Sequence, residues 1–542
     1  MKYFAFLLLG CLLFSYYSLS AHKIIVTTSN GDYTTIQEGI NAANPGDTVW
    51  VKPGEYNESV VFSKSGSATN AYITLIGEDG AIIDGTGKGE LGISISNQNY
   101  IRVIGLEIQN FSGTNTPIGI SVNGSSSDIE ILNNKVHNID NDNGNAHGIA
   151  FYGTANTPIS NVVVKGNEIY NCKLGSSESM VFNGNVTNFV VSDNIIHDND
   201  NIGIDFIGFE RTGPIGFDRA RNGVCSHNTV YNISSLNNPA YGGDRSADGI
   251  YIDGGEDITI ERNTVYDCDI GIEVASEHQG KNAQNIVVRN NFVSGSYLTN
   301  IMTGGYASNK GNAVNIFILN NTTYHGAQGE LAIQYNGNNI TIENNIFCGL
   351  SGQSYLQKWG NNNTDITVNN NIYYGQSTSS PGSWSDPHAK YVNPELVNPY
   401  TNMHLTAGSP AIDAGINPGN DSIGNPLFGL LDIDGETRIV NGLVDIGADE
   451  YSGVSGTTTY SAESKQVLLF PNPATKTLQI DNKKGQIDNI EIVSISGQTM
   501  YESSKPFTNT KTVNVSNFPE GIYLLWITCD NKQYISKFLV ER

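Results

Sequence analysis

Ile260-Glu-Arg-Asn263-Thr-Val265 is one of nine copies of a short pattern, in which an apolar residue precedes an asparagine by three positions. The asparagine stands at positions 134, 167, 194, 228, 263, 291, 321, 345 and 371, so the copies are 24 to 35 residues apart. Repeats of this length predict a solenoid. Within each copy, short β-branched runs alternate with Gly, Asn and Asp, which is typical of strands and turns. The pattern therefore predicts a parallel β-helix with an internal asparagine ladder.

The composition indicates a large, acidic, mostly β protein. The chain has 542 residues, of which 59 are Gly and 27 are Tyr, and only 15% are charged. A disordered chain would carry more charge and fewer aromatic residues. Residues 22–464 hold 46 acidic and 19 basic side chains, a net charge of −27. This charge argues against a nucleic-acid partner, and against an anionic polymer unless cations bridge it.

The first 20 residues are predicted to be a secretory signal peptide. Lys2 supplies the positive charge, and residues 4–14 form an apolar run that is too short to span a bilayer. Ser18 and Ser20 supply the small residues before the cleavage point. No second long apolar segment follows in the sequence, so we predict no transmembrane span.

The two ends of the repeat region resemble secreted, pectin-lyase-like β-helix proteins. Thr35-Ile-Gln through Tyr56 follows the opening pattern of that group, and Ile36, Ile40 and Ala43 are spaced for a short amphipathic helix that covers the first coil. Residues 45–51 are then expected to open the first strand. Residues 408–451 resemble the closing signature of the group. The resemblance implies an all-β, right-handed parallel β-helix solenoid over residues 21–451, closed by a C-terminal cap.

The closing signature contains candidate metal ligands. Asp432, Asp434 and Glu436 are close in sequence, and Ca²⁺ prefers oxygen ligands. A solvated turn at the cap would carry the same residues, so both interpretations stay open.

A second, smaller unit follows. Residues 452–464 are rich in Gly, Ser and Thr and predict a linker. Residues 465–542 contain short alternating apolar runs, which predict a compact β-sandwich domain. The order of Phe470-Pro-Asn-Pro-Ala474, residues 518–525 and residues 537–540 resembles the C-terminal sorting domain of the type IX secretion system.

That resemblance implies a Bacteroidota-type bacterium and an interaction of residues 465–542 with the type IX secretion machinery. It also implies export across the outer membrane and removal of the domain, which leaves the protein secreted or attached to the outer surface. A binding or adhesive sandwich is the alternative interpretation of this domain.

One predicted strand aligns across five successive coils, and its outward positions are acidic. The aligned segments are 147–153, 178–184, 202–208, 248–254 and 270–276. The third and fifth positions are apolar throughout, so they are expected to face the core and the fourth and sixth to face outward. The outward positions hold Asp205, Tyr251, Asp253 and Glu273. The Cβ atom of Asp253 is expected about 8 Å from those of Asp205 and Glu273.

Paired carboxylates on adjacent coils are typical of glycoside hydrolysis. One acid protonates the leaving oxygen, and another attacks the sugar or activates water. Crowding raises the pKa of at least one of them. Residues 249–253 and 271–274 resemble a motif pair of a β-helix β-xylosidase family, which implies Asp253 as the nucleophile and Glu273 as the acid/base, with Asp205 as a third catalytic acid. The flanking aromatic residues of that family are missing here, so specificity for xylose is not implied.

Long loops beside this face are predicted to bind the sugar, because solenoids bind ligands where such loops gather. The predicted substrate-binding residues are Tyr152, Glu210, Arg211, Asp248, Tyr251, Glu277 and His278. His147 and Glu178 occupy the first aligned position, near a turn, and His147 is interpreted as a hydrogen-bonded turn residue rather than a base.

The sequence thus favours a monomeric extracellular glycoside hydrolase that acts on a polysaccharide or oligosaccharide and needs no cofactor. A Ca²⁺-dependent polysaccharide lyase is the first alternative, with Asp205, Asp248 and Asp253 as metal ligands. In that chemistry Lys281 or Arg219 would have to remove the proton. A non-catalytic, glycan-binding or adhesive solenoid is the second alternative.

Overall fold

The computed structural model describes residues 21–68, 72–141, 144–376, 380–420, 426–440, 442–452, 467–470, 474–487, 489–494, 499–519, 521–529 and 532–540. The predicted signal peptide, and the predicted linker beyond residue 452, lie outside the described residues. No helix in the described part of the chain has the length and apolar content that a bilayer crossing requires.

The main body is a parallel β-helix built from three long sheets, which confirms the predicted fold. Each sheet takes one strand from nearly every coil, and consecutive strands within a sheet are parallel and in register. Sheet 1 comprises Lys23–Val26, Thr48–Val51, Ile73–Gly77, Ile101–Ile104, Ser127–Leu132, Ile159–Lys165, Val186–Ser192, Ala220–Ser226, Glu256–Glu261, Asn282–Arg289, Asn312–Leu319, Gly337–Glu343 and Thr364–Asn369.

The other two sheets complete each coil. Sheet 2 comprises Gly54–Tyr56, Ala81–Asp84, Glu107–Gln109, Lys135–His137, Glu168–Tyr170, Ile195–Asn199, Thr229–Ile233, Thr264–Tyr266, Phe292–Ser294, Thr322–Tyr324, Ile346–Cys348 and Ile372–Tyr374. Sheet 3 comprises Val60–Phe62, Leu91–Ser96, Ile118–Asn123, His147–Gly153, Met180–Gly184, Ile204–Ile207, Asp248–Asp253, Ile270–Ala275, Ile301–Thr303, Leu331–Ile333 and Leu356–Lys358. Their inward side chains, mostly Ile, Val, Leu and Phe, form one continuous core.

The recurrent asparagines form the predicted ladder between sheets 1 and 2. Each side-chain Nδ2 donates to the Oδ1 of the asparagine one coil later, at 2.9–3.0 Å, from Asn134 to Asn371. The same Oδ1 accepts a backbone N–H, as Asn263 does from the N–H of Asn228 at 2.9 Å. Asp386 ends the ladder, because its carboxylate accepts both the N–H and the Nδ2 of Asn371.

The N-terminal helix is confirmed as Ile36–Ala42, with Thr35 as its N-cap and Ile36 and Ile40 buried against the first coil. The strand predicted within residues 45–51 is confirmed as Thr48–Val51, but it is the second strand and not the first. Lys23–Val26 precedes the helix and pairs in parallel with Thr48–Val51. This strand is short and directly follows the predicted signal peptide, and the helix separates it from its partner.

The closing signature lies in a different place from the one expected. A hairpin of Leu396–Asn398 and Asn402–Leu405, together with the chain up to residue 450, packs on the outer face of sheet 2 rather than on the end of the coil. Phe292, Tyr324, Ile346, Cys348 and Ile372 on sheet 2 are buried against Met403, Leu405, Ala411, Ile433, Ile446 and Ala448. Near the last coil, where the cap was expected, Trp384 and Ala389 pack against the core.

The three Ca²⁺ candidates do not converge. Asp432 is buried, and its carboxylate accepts the backbone N–H groups of Asp434, Glu436 and Glu450 at 2.7–3.1 Å. Asp434 turns away to His404, with its Oδ2 at 2.8 Å from Nε2. Asp432 therefore shapes the loop of the closing signature.

The C-terminal unit consists of two antiparallel sheets, which agrees with the predicted sandwich. One sheet comprises Val467–Phe470, Thr477–Ile487 and Phe507–Asn514, and the other comprises Thr499–Ser503, Asn489–Ser494, Gly521–Cys529 and Lys532–Val540. Side chains from both sheets, including Leu478, Ile480, Ile492 and Leu525, share one apolar cluster. The remaining helices of the described chain are single 3₁₀ turns at Ser235–Asn237 and Pro239–Tyr241.

Candidate active site

Sheet 3 carries the predicted acidic positions in the predicted register. Asp205, Tyr251 and Glu273 are direct Cα partners on three successive strands, and Asp253 pairs with Ala275. The residues on either side of these positions face the core, as Ile250 and Ile252 do on either side of Tyr251. The outward placement of all four side chains is therefore set by the alternation of the strand.

These side chains lie beneath loops rather than on an open surface. Asp205, Asp253 and Glu273 are only 2%, 4% and 5% exposed. Further carboxyl groups join them: Glu178 and Asp248 are buried beside the same face, and Glu210 and Glu277 lie on the loops that follow the strands. We call Glu178, Asp205, Asp248, Asp253, Glu273 and Glu277 the acid cluster.

Hydrogen bonds hold several members of the acid cluster in place. Asp248 and Glu273 lie on neighbouring strands of sheet 3, and each carboxyl group shifts the pKa of the other. Gln334 Nε2 donates to Glu273 Oε1 at 3.1 Å. The backbone N–H of Glu277 donates to Asp253 Oδ1 at 2.8 Å, and Tyr251 is hydrogen-bonded to the Glu277 carboxylate.

Two oxygens of the acid cluster are left without a partner. Asp205 Oδ1 and Asp248 Oδ1 are buried, and neither makes a hydrogen bond within the described residues. A buried polar atom without a hydrogen-bond partner lowers the stability of the fold unless it binds a ligand, a proton or a water molecule. The two oxygens therefore mark the part of the acid cluster that is open to a bound group.

Comparison with known proteins identifies the family. Residues 73–308 match the right-handed beta helix region family. "Uncharacterized protein YwoF" of Bacillus subtilis (strain 168) is 38% identical over 376 residues, which cover 66% of this chain and 79% of the relative. The chain belongs to this family of right-handed β-helix proteins.

Residues 468–541 match the secretion system C-terminal sorting domain, which confirms the predicted sorting domain. The chain is thus exported through the type IX secretion system to the outer surface or beyond, and the sorting domain is removed. "Ulvan lyase NLR42" of Nonlabens ulvanivorans is 30% identical over 90 residues, 16% of each chain. The bacterial group implied by the sorting domain stays a prediction.

Two solved structures share the coil architecture at low identity. The pectate lyase Pel9A is 15% identical, with 80% of this chain and 96% of that one aligned at a TM-score of 0.45. The complex of XylC with xylose is 11% identical, with 79% and 98% aligned at a TM-score of 0.45. At these values, neither likeness bears on the reaction.

Burial and like charge raise the pKa values throughout the acid cluster. Loss of hydration raises the pKa of Glu273 and that of Glu178 to about 8, and neighbouring carboxylates add to the effect. The pKa values of Asp205, Asp248 and Asp253 are raised well above their usual range, chiefly by burial. At neutral pH the acid cluster therefore holds several protons.

This proton uptake predicts that stability falls as pH rises. Glu178 and Glu273 have a usual pKa of 4.5 and a folded-state pKa of about 8, so between these values the folded state binds more protons than the unfolded state. Their stabilising contribution is full below about pH 4.5 and is lost as pH rises through about 8. We expect the melting temperature to fall from pH 5 to pH 8.5, with a shallower fall in Glu178→Gln/Glu273→Gln.

Glu55→Gln is the matched control for this titration, because Glu55 lies exposed on sheet 2, and it should leave the slope unchanged. A melting temperature that rises with pH in this range, or an equal slope in the double variant, would contradict the assignment.

Residues at the first aligned position reach the acid cluster, which strict alternation did not predict. A Cβ at Gly249 would lie 2.6 Å from Val265 Cγ1 and 2.8 Å from the carbonyl oxygen of Gly271, so this position points toward the core, as Ile250 does. Gly249 and Ile250 thus both point inward, and this break in the alternation turns the preceding residue, Asp248, outward. The glycine at the second aligned position is the sequence feature that could have predicted this bend.

Glu178 and His147 lie at the same first position on neighbouring strands. His147 is buried, with Nδ1 at 3.0 Å from the carbonyl oxygen of Glu178 and Nε2 at 2.7 Å from the hydroxyl of Tyr152. Burial lowers the pKa of His147 to about 4, so its ring is neutral. The interpretation of His147 as a hydrogen-bonded residue is confirmed, although it begins a strand rather than a turn.

Sequence reasoning also missed Gln334. It lies 61 residues after Glu273 and two strands further along sheet 3, beyond the five segments that were aligned. Its amide is the donor that orients Glu273.

Several predicted loop residues make other contacts. Arg211 is exposed, and its backbone N–H donates to Asp218 Oδ2 at 2.7 Å. Arg219 is paired with Glu256, and Lys281 lies over the ring of Phe209 at 5.2 Å from its centroid. Arg219 also lies over the ring of Phe209, which packs against Gly254, so both cations lie at the edge of the acid cluster.

Two groups of side chains in the described residues bring metal-ligating atoms within 4.8 Å of one another. Glu210, Asp253 and His278 form one group at the edge of the acid cluster, where His278 Nε2 is 3.9 Å from Glu210 Oε1. His404, Asp434 and Asp449 form the other, beside sheet 2. Of the predicted substrate-binding residues, Asp248, Tyr251, Glu277, Glu210 and His278 thus lie at the acid cluster.

Proposed function

We propose that this protein is an extracellular glycoside hydrolase, and that the acid cluster cleaves a polysaccharide or oligosaccharide. The observation that carries this proposal is the burial of Asp248, Asp253 and Glu273 on the same outward face of two neighbouring strands of sheet 3. Acids splayed over a convex face would favour a binding solenoid, whereas these acids converge and hold protons.

Glu273 supplies the proton in this proposal. Its pKa of about 8 keeps it protonated at neutral pH, and Gln334 fixes its orientation. A protonated carboxyl group beside the glycosidic oxygen can transfer its proton to the departing sugar. Glu273 recovers its proton from the water that completes the hydrolysis, either directly or through Asp253 when Asp253 has activated that water.

Asp253 acts on the other side of the bond. Burial and neighbouring carboxylates raise the pKa of Asp253, and the Glu277 N–H that donates to its Oδ1 opposes this shift. In its ionised form, Asp253 attacks the anomeric carbon or activates water. Asp205 orients the sugar: its pKa is raised well above the usual range, so its protonated carboxyl group can donate and accept hydrogen bonds with a sugar hydroxyl.

The proposal is tested with the secreted protein and a panel of plant and algal polysaccharides, with and without EDTA. New reducing ends and the absorbance of unsaturated uronates are followed in the same reactions. We expect new reducing ends without that absorbance, at rates that EDTA leaves unchanged. Absorbance from unsaturated products, or silence across the panel, would contradict the hydrolase proposal; silence would favour a binding role.

A cation-dependent polysaccharide lyase is the second candidate, and the unpartnered oxygens of Asp205 and Asp248 favour it. Buried carboxylate oxygens suit Ca²⁺, and the ion would offset the repulsion within the acid cluster. Asp205, Asp248 and Asp253 would hold the ion, whose role is to acidify the proton next to a uronate carboxyl group. Arg219 is paired with Glu256, which leaves Lys281, at the edge of the acid cluster, as the base that this candidate would need and ranks it second.

Under the lyase candidate, Ca²⁺ raises the melting temperature at pH 8 and EDTA abolishes activity. Asp205→Asn should then lose both effects. Under the hydrolase proposal, the activity of the wild-type protein does not change with either addition, so one titration with activity and melting readouts separates the two.

A further inference from the structure

A column of stacked rings runs along the outer face of sheet 2, away from the acid cluster. His137, Tyr170, His197, Tyr231 and Tyr266 occupy equivalent positions on five successive strands. Neighbouring ring centroids are 4.6, 5.2, 4.8 and 4.8 Å apart, with planes within 13° of parallel. The three inner rings, those of Tyr170, His197 and Tyr231, therefore have both faces covered by their neighbours, whereas Tyr266 is stacked on one face.

The column is interrupted one strand later. Ser294 is the register partner of Tyr266, and Tyr324 is the register partner of Ser294, so a residue without a ring stands between two tyrosines. Two coil steps span about 9.6 Å, which is twice the stacking distance of a flat ring. A cavity of about 960 Å³ opens at this point, and Tyr266, Ser294 and Tyr324 all line it.

The opposite wall of the cavity comes from the C-terminal hairpin that packs on sheet 2. Tyr400, at the tip of this hairpin, is 73% exposed. Its ring meets those of Tyr324 and His325 edge-on, with centroids 4.8 and 5.7 Å apart. A large ring held at a cavity mouth, with most of its surface in water, is typical of a ligand contact rather than of a core residue.

The charged groups of the cavity are three aspartates, including Asp267, against one arginine and three histidines. Asp193 lies 3.5 Å from His227, and Asp434 lies 2.8 Å from His404, with all four side chains lining the wall. Arg262 adds a donor on the same wall. Such a lining offers donors and acceptors for hydroxyl groups without the excess of positive charge that a polyanion would require.

We propose that this cavity binds a neutral oligosaccharide segment, with one sugar ring stacked on Tyr266 in the gap that Ser294 leaves and Tyr400 closing over it. The cavity shares no residue with the acid cluster and lies on another sheet, so the proposal does not depend on the hydrolase proposal. The site would hold the protein on a glycan chain, away from the site of cleavage.

The test is native affinity electrophoresis of the full chain in gels that contain arabinoxylan, galactomannan or mixed-linkage β-glucan, all neutral polysaccharides. The Glu273→Gln background prevents digestion during the run. We expect at least one polysaccharide to retard the protein. Tyr266→Ala and Tyr400→Ala should each weaken retardation about 3- to 10-fold, as expected for the loss of one stacking contact.

Tyr374→Ala is the matched control, because Tyr374 is an exposed tyrosine in the same column of sheet 2 that does not line the cavity, and it should bind normally. Tyr400 is so exposed that its removal should leave the melting temperature unchanged, which separates binding from folding. Failure of all three polysaccharides to retard the protein, retardation that survives both variants, or retardation by polygalacturonate alone would overturn the proposal.

Discussion

Replacement of Glu273 by Gln is expected to lower the rate of glycan cleavage about 10²- to 10⁴-fold, because the variant can no longer transfer a proton to the leaving sugar. Glutamine keeps the shape of the side chain, and a neutral group already suits this buried position. The melting temperature near pH 6 should therefore stay within a few degrees of the wild-type value. Initial rates of reducing-end release on the best substrate of the panel give the measurement.

The control for this variant is Glu55→Gln, which removes an exposed carboxyl group from sheet 2 and should leave the rate unchanged. Asp253→Asn should reproduce the loss seen in Glu273→Gln, since the two groups act on opposite sides of the same bond. A Glu273→Gln variant that keeps more than about a tenth of wild-type activity would remove Glu273 from its proposed role.

Loss of one rung of the asparagine ladder is expected to have the largest effect on stability. Asn263 Nδ2 donates to Asn291 and to the carbonyl oxygen of Cys225, and its Oδ1 accepts both the N–H and the Nδ2 of Asn228. The side chain is fully buried, so Asn263→Ala leaves these partners without water to replace it. We expect a loss of about 3 to 5 kcal/mol in the free energy of unfolding.

Asn285→Ala provides the comparison within the same coil. Asn285 also stacks in an asparagine row, with Asp257 and Asn315 as partners at 2.9 and 3.0 Å, but it is exposed. It has φ of 57°, so alanine there costs about 1 to 2 kcal/mol through the backbone alone. Guanidinium unfolding of both variants tests the difference, and equal shifts would show that burial of the ladder contributes little.

The sequence was sufficient for the features that repeat from coil to coil. The spacing of the asparagines predicted the ladder, and the apolar third and fifth positions predicted the register of Asp205, Tyr251 and Glu273. Both follow from a period-two strand whose neighbours lie one coil away, so local patterns determine the contacts. The sorting domain was recognisable because its motifs are short and ordered.

The features that sequence reasoning missed depend on departures from the repeat. Asp248 was predicted at the site, but not that Gly249 breaks the alternation of the strand and turns it outward. Gln334 was not predicted, because it reaches Glu273 from a coil outside the aligned segments. Burial of the acids depends on irregular loops, whose paths the pattern does not determine. The apolar residues of the closing signature pack on the outer face of sheet 2, but the sequence alone does not show which surface they cover.

The most direct test of the hydrolase proposal is digestion of the best substrate in H₂¹⁸O, with early products analysed by mass spectrometry. Hydrolysis adds one water molecule across the broken bond. We therefore expect one of the two new fragments to carry one ¹⁸O atom, and neither fragment to contain a new double bond. Elimination breaks the bond without water. Unsaturated fragments free of ¹⁸O would contradict the account and assign the acid cluster to a lyase.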